Sequence, residues 1–186
     1  MGIKHIMNLT VDTLKPEVNL PTYKIMLNDV GKYNLPQIIS DYKKKYPETQ
    51  KEYTHLTGWR SSYDTLSHEP RFFPFVDDML HIIEGLHDDR ISPGKNVRFG
   101  CAEFWAAIYE RGDNAKRHFH YPLDWSICYY VDVEDDASPI ILGNNNLRII
   151  PKNGMMLAFP GWLNHSVPPT KGKRTIIVMN LKRIDY

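Results

Sequence analysis

The sequence is poor in several features that would place it in a specialised class. It has two cysteines, Cys101 and Cys128, in 186 residues. Both sit in apolar surroundings without metal-ligand spacing, so buried free thiols in a reducing compartment are expected. An excess of charge of one sign is also missing. With 23 basic and 22 acidic residues the net charge is +1, so no global field draws the chain to nucleic acid or to an anionic membrane. No stretch approaches the ~20 apolar residues of a membrane span, and Met1 to Leu9 lacks the apolar core of a leader. A cytoplasmic protein with no membrane partner is expected. Internal repeats and low-complexity tracts are absent too.

A chain of 21.7 kDa suits one domain with a sizeable core. We expect a single domain over 1–186, with an N-terminal accessory part over 1–94 and a β-rich core over 95–186. In the first half, Thr22 to Leu27 reads as a short strand. Leu35 to Lys45 reads as a helix with Leu35, Ile38, Ile39 and Tyr42 on one face. Thr57 to Ser62 has the composition of a loop. Phe75, Met79, Ile82, Ile83 and Leu86 recur at helical spacing, which predicts a helix over Phe75 to Leu86 covering a sheet. His68, His81 and His87 nearby are expected to be surface or interface imidazoles.

From Lys95 strands separated by turns take over. Val97 to Tyr109, Trp125 to Val133, Ile140 to Ile150 with a Gly143-Asn144-Asn145-Asn146 turn, and Arg174 to Leu181 all read as β. Asn153-Gly154, between Ile149-Ile150-Pro151 and Met155-Met156-Leu157, predicts a two-residue type I′ hairpin. The expected fold is mainly β with flanking helices, a sandwich or jelly-roll barrel. Strand parity places Trp125, Ile127, Tyr129 and Val131 on one apolar face, with Ser126, Cys128 and Tyr130 on the other as the pocket wall. In the last strand Arg174, Ile176, Val178 and Asn180 share a face. A buried arginine is costly without an anion, and a carboxylate is its natural bidentate partner. An acidic cosubstrate follows.

The chemistry concentrates in Arg117-His118-Phe119-His120, then far downstream in Asn164-His165-Ser166, with Arg174 nine residues beyond His165. In a strand, i and i+2 share a face, so His118 and His120 can hold one ion if that segment is extended. Arg117 and Lys116 are expected in a solvated loop. Trp105, Trp125, Trp162 and Phe104 are expected in the core or pocket wall.

Together these residues resemble the Fe(II)/2-oxoglutarate-dependent oxygenase superfamily from Phe99 to Leu181, in particular its small phage and bacterial members. Ser126-Ile127-Cys128-Tyr129-Tyr130 is similar to a strand of the prolyl hydroxylases whose second tyrosine helps hold oxoglutarate. The run Phe159-Pro160-Gly161-Trp162-Leu163-Asn164-His165-Ser166-Val167-Pro168-Pro169 resembles that family's distal-histidine segment. The resemblance implies a double-stranded β-helix of cupin-like jelly-roll type, with His118, His120 and His165 as metal ligands and catalytic residues. It implies Arg174 and Tyr130 on the far carboxylate of 2-oxoglutarate, Tyr109 lining the cofactor, and Ser126, Ser166 and Asn180 completing the pocket. The wider superfamily has Asp or Glu where His120 stands, and the small phage-type relatives resemble this chain in carrying His-x-His. Asp124 is the alternative third ligand.

The implied activity is an Fe(II)- and 2-oxoglutarate-dependent dioxygenase, using O2 and ascorbate as a reductant, that hydroxylates a peptidyl proline, another side chain or a small molecule. If the chain is phage-encoded, its compartment is the host cytoplasm. Two other readings stay open: an oxidative demethylase of nucleic acid, which the neutral charge disfavours, and a non-catalytic cupin-like metal-binding module. Arg174 speaks against the module, which has no need of a carboxylate clamp.

Overall fold

The computed structural model describes residues 9–14, 21–28, 31–48, 55–91, 94 and 97–184. Met1 to Asn8 and Lys95, where a leader was discounted and the β region was expected to begin, lie outside them. Among the described residues eleven strands run β1 (Leu9–Leu14), β2 (Thr22–Leu27), β3 (Trp59–Arg60), β4 (Arg98–Tyr109), β5 (Ala115–His118), β6 (Trp125–Val133), β7 (Ile140–Leu142), β8 (Leu147–Ile149), β9 (Met155–Pro160), β10 (His165–Val167) and β11 (Arg174–Ile184). They form two antiparallel sheets, one ordered β1-β2-β9-β6-β11-β4-β3 and the other β5-β10-β7-β8. This is mainly β with flanking helices, as the strand spacing predicts, and a double-stranded β-helix, as the resemblance implies.

Among the described residues three α-helices precede β4: α1 (Leu35–Lys45), α2 (Thr65–His68) and α3 (Phe73–Arg90). Helix α1 has a proline in its first turn and Lys43, Lys44 and Lys45 in its last, where cations favour the helix dipole. Helix α3 buries Phe75, Met79, Ile82, Ile83 and Leu86, each worth about 1.5–3 kcal/mol of apolar burial. These side chains pack with α1 against Ile127, Tyr129, Ile177 and Met179 on the outer face of the larger sheet. A second apolar cluster, with Trp105, Tyr130, Leu142, Leu157 and Phe159, fills the space between the sheets. The parity expected for β6 and β11 therefore separates a helix-covered face from a face turned inward.

Two local expectations are corrected. Strand β8 pairs with β7, whereas β9 pairs with β2 and β6, so Asn153-Gly154 links two sheets and closes no hairpin. A type I′ turn needs positive φ at both central residues; here Gly154 has φ 76° and Asn153 is not in that region. Gly154 is instead held between strands, its N–H donating to the Tyr130 carbonyl and its carbonyl accepting from Leu27. Thr57 to Ser62 is not wholly loop either. Trp59 and Arg60 pair with Ile108 and Ala107 of β4 as an edge strand too short for a period-2 pattern to register. Both cysteines are free, Cys128 buried and Cys101 only half-buried.

Candidate metal and cosubstrate site

Strand pairing brings the histidines together. His118 ends β5 and His165 begins β10, and these two residues are direct partners in the smaller sheet. His120 follows in the loop, its N–H donating to the Gly161 carbonyl. Ring centroids lie 4.2 Å apart for His118 and His165, 5.0 Å for His120 and His165, and 5.1 Å for His118 and His120. Their candidate ligand atoms fall within 4.8 Å of one another. The Nδ1 of His118 faces the Lys116 carbonyl at 2.6 Å, and that of His165 faces the Leu163 carbonyl at 3.0 Å. An Nδ1–H donated to a carbonyl fixes the tautomer and leaves the Nε2 lone pair for an ion. Burial, reinforced by the neighbouring rings, lowers all three pKa values: His120 falls to about 3 and His165 well below its ordinary value. Neutral imidazoles are what a metal needs.

Asp124 serves another purpose. Its carboxylate accepts from the Arg183 N–H at 2.7 Å, its N–H donates to Leu181 and its carbonyl accepts from Gly161. It pins the loop between β5 and β6 to the end of β11. His68 pairs with Asp64, His81 with the Asp77 carbonyl, and His87 packs on Phe99. Among the described residues the three-histidine group is the one cluster of metal-ligand type. Arg117 bridges to the Gly143 carbonyl and to Asn144, tying β5 to the turn before β8.

Arg174 opens β11 opposite Tyr109 of β4 and is 1% exposed. Its guanidinium lies 4.5 Å from the Tyr109 ring and 5.5 Å from that of Tyr130, and donates to the Ser138 carbonyl at 3.1 Å. Among the described residues no carboxylate pairs with it, and its Nε and the Tyr130 hydroxyl are buried without a hydrogen-bond partner. Burial pushes the Tyr109 hydroxyl up to about 12 and that of Tyr130 well above its ordinary value, although Arg174 pulls the other way. Both tyrosines keep their protons and remain donors. A buried cation with an orphaned donor beside an orphaned phenol is a receptor for a carboxylate. The residues present therefore fit both an ion held by imidazole and a dicarboxylate anchored at its far end.

No protein-family profile matches the chain, and no curated protein matches it in sequence. Solved structures do match. A prolyl 4-hydroxylase from Pseudomonas putida aligns with a TM-score of 0.60 at 12% identity, over 98% of this chain and 96% of that one. A viral collagen prolyl hydroxylase from Paramecium bursaria Chlorella virus-1, solved with 2-oxoglutarate, gives 0.59 at 13% over 88% and 96%. A Trichoplax adhaerens prolyl hydroxylase, in complex with a hypoxia-inducible-factor peptide fragment, gives 0.60 at 14% over 96% and 86%. The chain has the prolyl-hydroxylase fold.

Within that fold both sheets contribute to one cavity of about 470 Å³, lined by the three histidines together with Arg174, Tyr109, Cys128, Arg60, Glu103, Tyr63 and Trp105. Asn180 and Ser166 do not line it. Asn180 lies six residues along β11 from Arg174, about 20 Å at ~3.3 Å per residue, and donates to Glu103 at 2.6 Å. It stands beside Ser126, its partner in β6, away from the Arg174 clamp. His55, stacked on His118 at 4.8 Å, also lines the cavity. Sequence reading passed over His55 and Glu103, and took Arg60 only as part of the Thr57 to Ser62 loop. Parity within β4, where Glu103, Trp105, Ala107 and Tyr109 share a face, was the signal that could have found Glu103.

Proposed function

We propose that the protein is an Fe(II)- and 2-oxoglutarate-dependent dioxygenase that hydroxylates a substrate C–H bond. The observation that carries this is a three-imidazole cluster opening into the same cavity as a buried arginine that no described carboxylate pairs with. His118, His120 and His165 would hold the iron, and Arg174 with Tyr130 and Tyr109 would take the far carboxylate of 2-oxoglutarate. Iron bound there would supply oxidative decarboxylation of 2-oxoglutarate coupled to substrate hydroxylation, with ascorbate as an auxiliary reductant. The chain's own residues do the rest. Lys116 and Leu163 carbonyls hold the imidazole rings in register, Arg174 fixes one end of the cosubstrate, and Phe159, Ile140 and Val167 exclude water around it. The fold neighbours support peptidyl proline as a candidate substrate.

Three neutral imidazoles also suit zinc, which keeps the metal-binding module as a second reading. The test is incubation with Fe(II), 2-oxoglutarate and ascorbate under air, with succinate measured. Slow uncoupled succinate release is expected, falling below detection in His165→Ala. Zinc retained at one per chain after iron challenge, with no succinate, would overturn the enzyme reading.

A further inference from the structure

Among the described residues each imidazole of the cluster is backed by one aromatic ring from outside it. His165 has the Phe159 ring at 5.0 Å, His120 the Trp105 ring at 5.8 Å, and His118 the His55 ring at 4.8 Å. Phe159 and Trp105 are buried on β9 and β4, so the core itself holds them. His55 is different. It is exposed and lies outside the named strands, yet its ring is inclined only 22° to that of His118, stacked where the other two pairs are edge-on or tilted.

Backbone pairing sets His55 in place. Leu56 bridges Ala115 of β5 in antiparallel fashion, the Thr57 N–H donates to the Asn114 carbonyl at 3.0 Å, and the Lys116 N–H donates to the His55 carbonyl at 2.9 Å. Lys116 in turn offers its own carbonyl to His118 Nδ1 at 2.6 Å. His55 and His118 are thus joined twice, through the backbone of Lys116 and face to face.

The joint answers a local need. Strands β5 and β10 fall out of step by one residue, since Ala115 pairs with Val167 and His118 with His165. The bulge puts His118 on the face of Ala115, where regular alternation would put Arg117. A bulge also interrupts the ladder, and His118 is only half-buried whereas His165 is 7% exposed. Of the three rings, His118 therefore has the least support from the core.

We propose that His55 is a positioning residue for the metal site: its ring stacks on His118 and holds that imidazole with Nε2 directed at the ion. The inference rests on the three histidines binding a metal and is independent of the reaction that follows. Stacking supplies what the Lys116 carbonyl cannot. A hydrogen bond at Nδ1 fixes the tautomer but lets the ring swing about that bond, and a face-to-face neighbour removes the swing. An imidazole can do this at an exposed position because its face is apolar while its edge is wetted.

Zinc affinity, read by competition with a chromogenic chelator, is the first measurement. His55→Ala should weaken zinc binding about 10- to 100-fold, the usual penalty for losing a group that orients a metal ligand. His55→Phe, which keeps a ring face but no nitrogen, should stay within about threefold of the parent. Both variants retain the residue-55 carbonyl that accepts from Lys116. The second measurement needs no metal: carbon-13 relaxation of the His118 ring should show lower order in His55→Ala than in the parent, with His55→Phe restoring it. The unfolding midpoint of the metal-free protein should be the same in all three, because an exposed ring adds little to the core, so a loss of affinity is not a loss of fold. Zinc held equally by all three proteins would overturn the role of His55 and leave the metal site standing. His55→Phe as weak as His55→Ala would also overturn it, since the site would then be using the nitrogen and not the ring face. A parent that binds neither zinc nor Fe(II) would sink the metal reading and this inference with it.

Discussion

Tyr129 and Tyr130 are neighbours on β6 with opposite tasks. Tyr129 points to the helix-covered face, where its ring packs 4.9 Å from Phe75 of α3 within a wholly apolar cluster. Tyr130 points between the sheets, behind Arg174, with its hydroxyl unpartnered. The same alternation runs along β11, where Ile177, Met179 and Leu181 face the helices and Arg174, Ile176 and Val178 face the cavity or its lining. One face of each strand stores stability and the other holds unsatisfied chemistry. Such division follows from the period of two: a strand can be fully buried and still present different solvents to alternate residues. Buried polar groups left without partners weaken a fold, so the orphans of β6 and β11, Ser126, Tyr130, Arg174 and Asn180, all on the inward face, point to a ligand that satisfies them.

The comparison can be broken from either side. Tyr129→Ala removes a 1% exposed ring from the core and should cost about 3–5 kcal/mol of stability, read as a lowered urea midpoint. At temperatures where the variant is folded, its affinity for 2-oxoglutarate should change little. Arg174→Met should act in the opposite way. Removing one partner of a buried, hydrogen-bonded charge pair costs about 2–5 kcal/mol of binding, so the Kd for 2-oxoglutarate should rise roughly 30- to 4000-fold. The ligand-free protein should be no less stable, because a buried cation is replaced by an apolar chain of similar length. A Tm falling by as much as in Tyr129→Ala would show that Arg174 belongs to the core and not to a clamp.

The part of this arrangement that a sequence can show is the part written in local period. Thr22–Leu27, Leu35–Lys45 and Trp125–Val133 have the boundaries that their patterns predict. His118 and His165 meet as cross-strand partners, whereas His120 joins them from the loop after β5, beyond the reach of strand parity. What escaped depends on partner choice. Asn153-Gly154 has the composition of a hairpin, yet β9 pairs with β2 and β6 while β8 pairs with β7. Arg60 sits on a two-residue strand with no period to read, and its position comes from the Trp59 and Ala107 contacts of the edge. Asn180 shares a face with Arg174, as parity requires, but parity carries no distance. Six residues of strand put it with Glu103 instead of with the clamp.

The metal-free protein offers a pH test of the same division. His120 has an ordinary pKa of 6.5 when unfolded and about 3 when folded, lowered first by burial and then by His118 and His55. As pH falls below 6.5 the unfolded chain binds the proton first, so the stability contributed by neutral His120 is complete above 6.5 and is lost progressively toward about 3. His118 and His165 shift in the same direction. The Tm of metal-free protein should therefore decline from pH 6.5 downward, and His120→Asn should flatten part of that slope. An unchanged slope in His120→Asn would mean that the ring is solvated and not held neutral in the cavity.

The smallest expected effect is the most selective. Tyr130→Phe deletes one oxygen that has no hydrogen-bond partner in the protein. A buried hydroxyl without a partner contributes nothing to the fold beyond its desolvation cost, so the variant should be as stable as the parent or slightly more so. If that hydroxyl donates to the far carboxylate of 2-oxoglutarate, its loss should weaken cosubstrate binding by about 1–2 kcal/mol, a factor of roughly 5 to 30. Tyr129→Phe, one residue away, should leave that affinity alone. The pair isolates the two faces of one strand with a single atom each. Equal 2-oxoglutarate affinity in Tyr130→Phe and the parent would confine the clamp to Arg174 and Tyr109, and would leave the Tyr130 hydroxyl as an orphan that the cosubstrate does not explain.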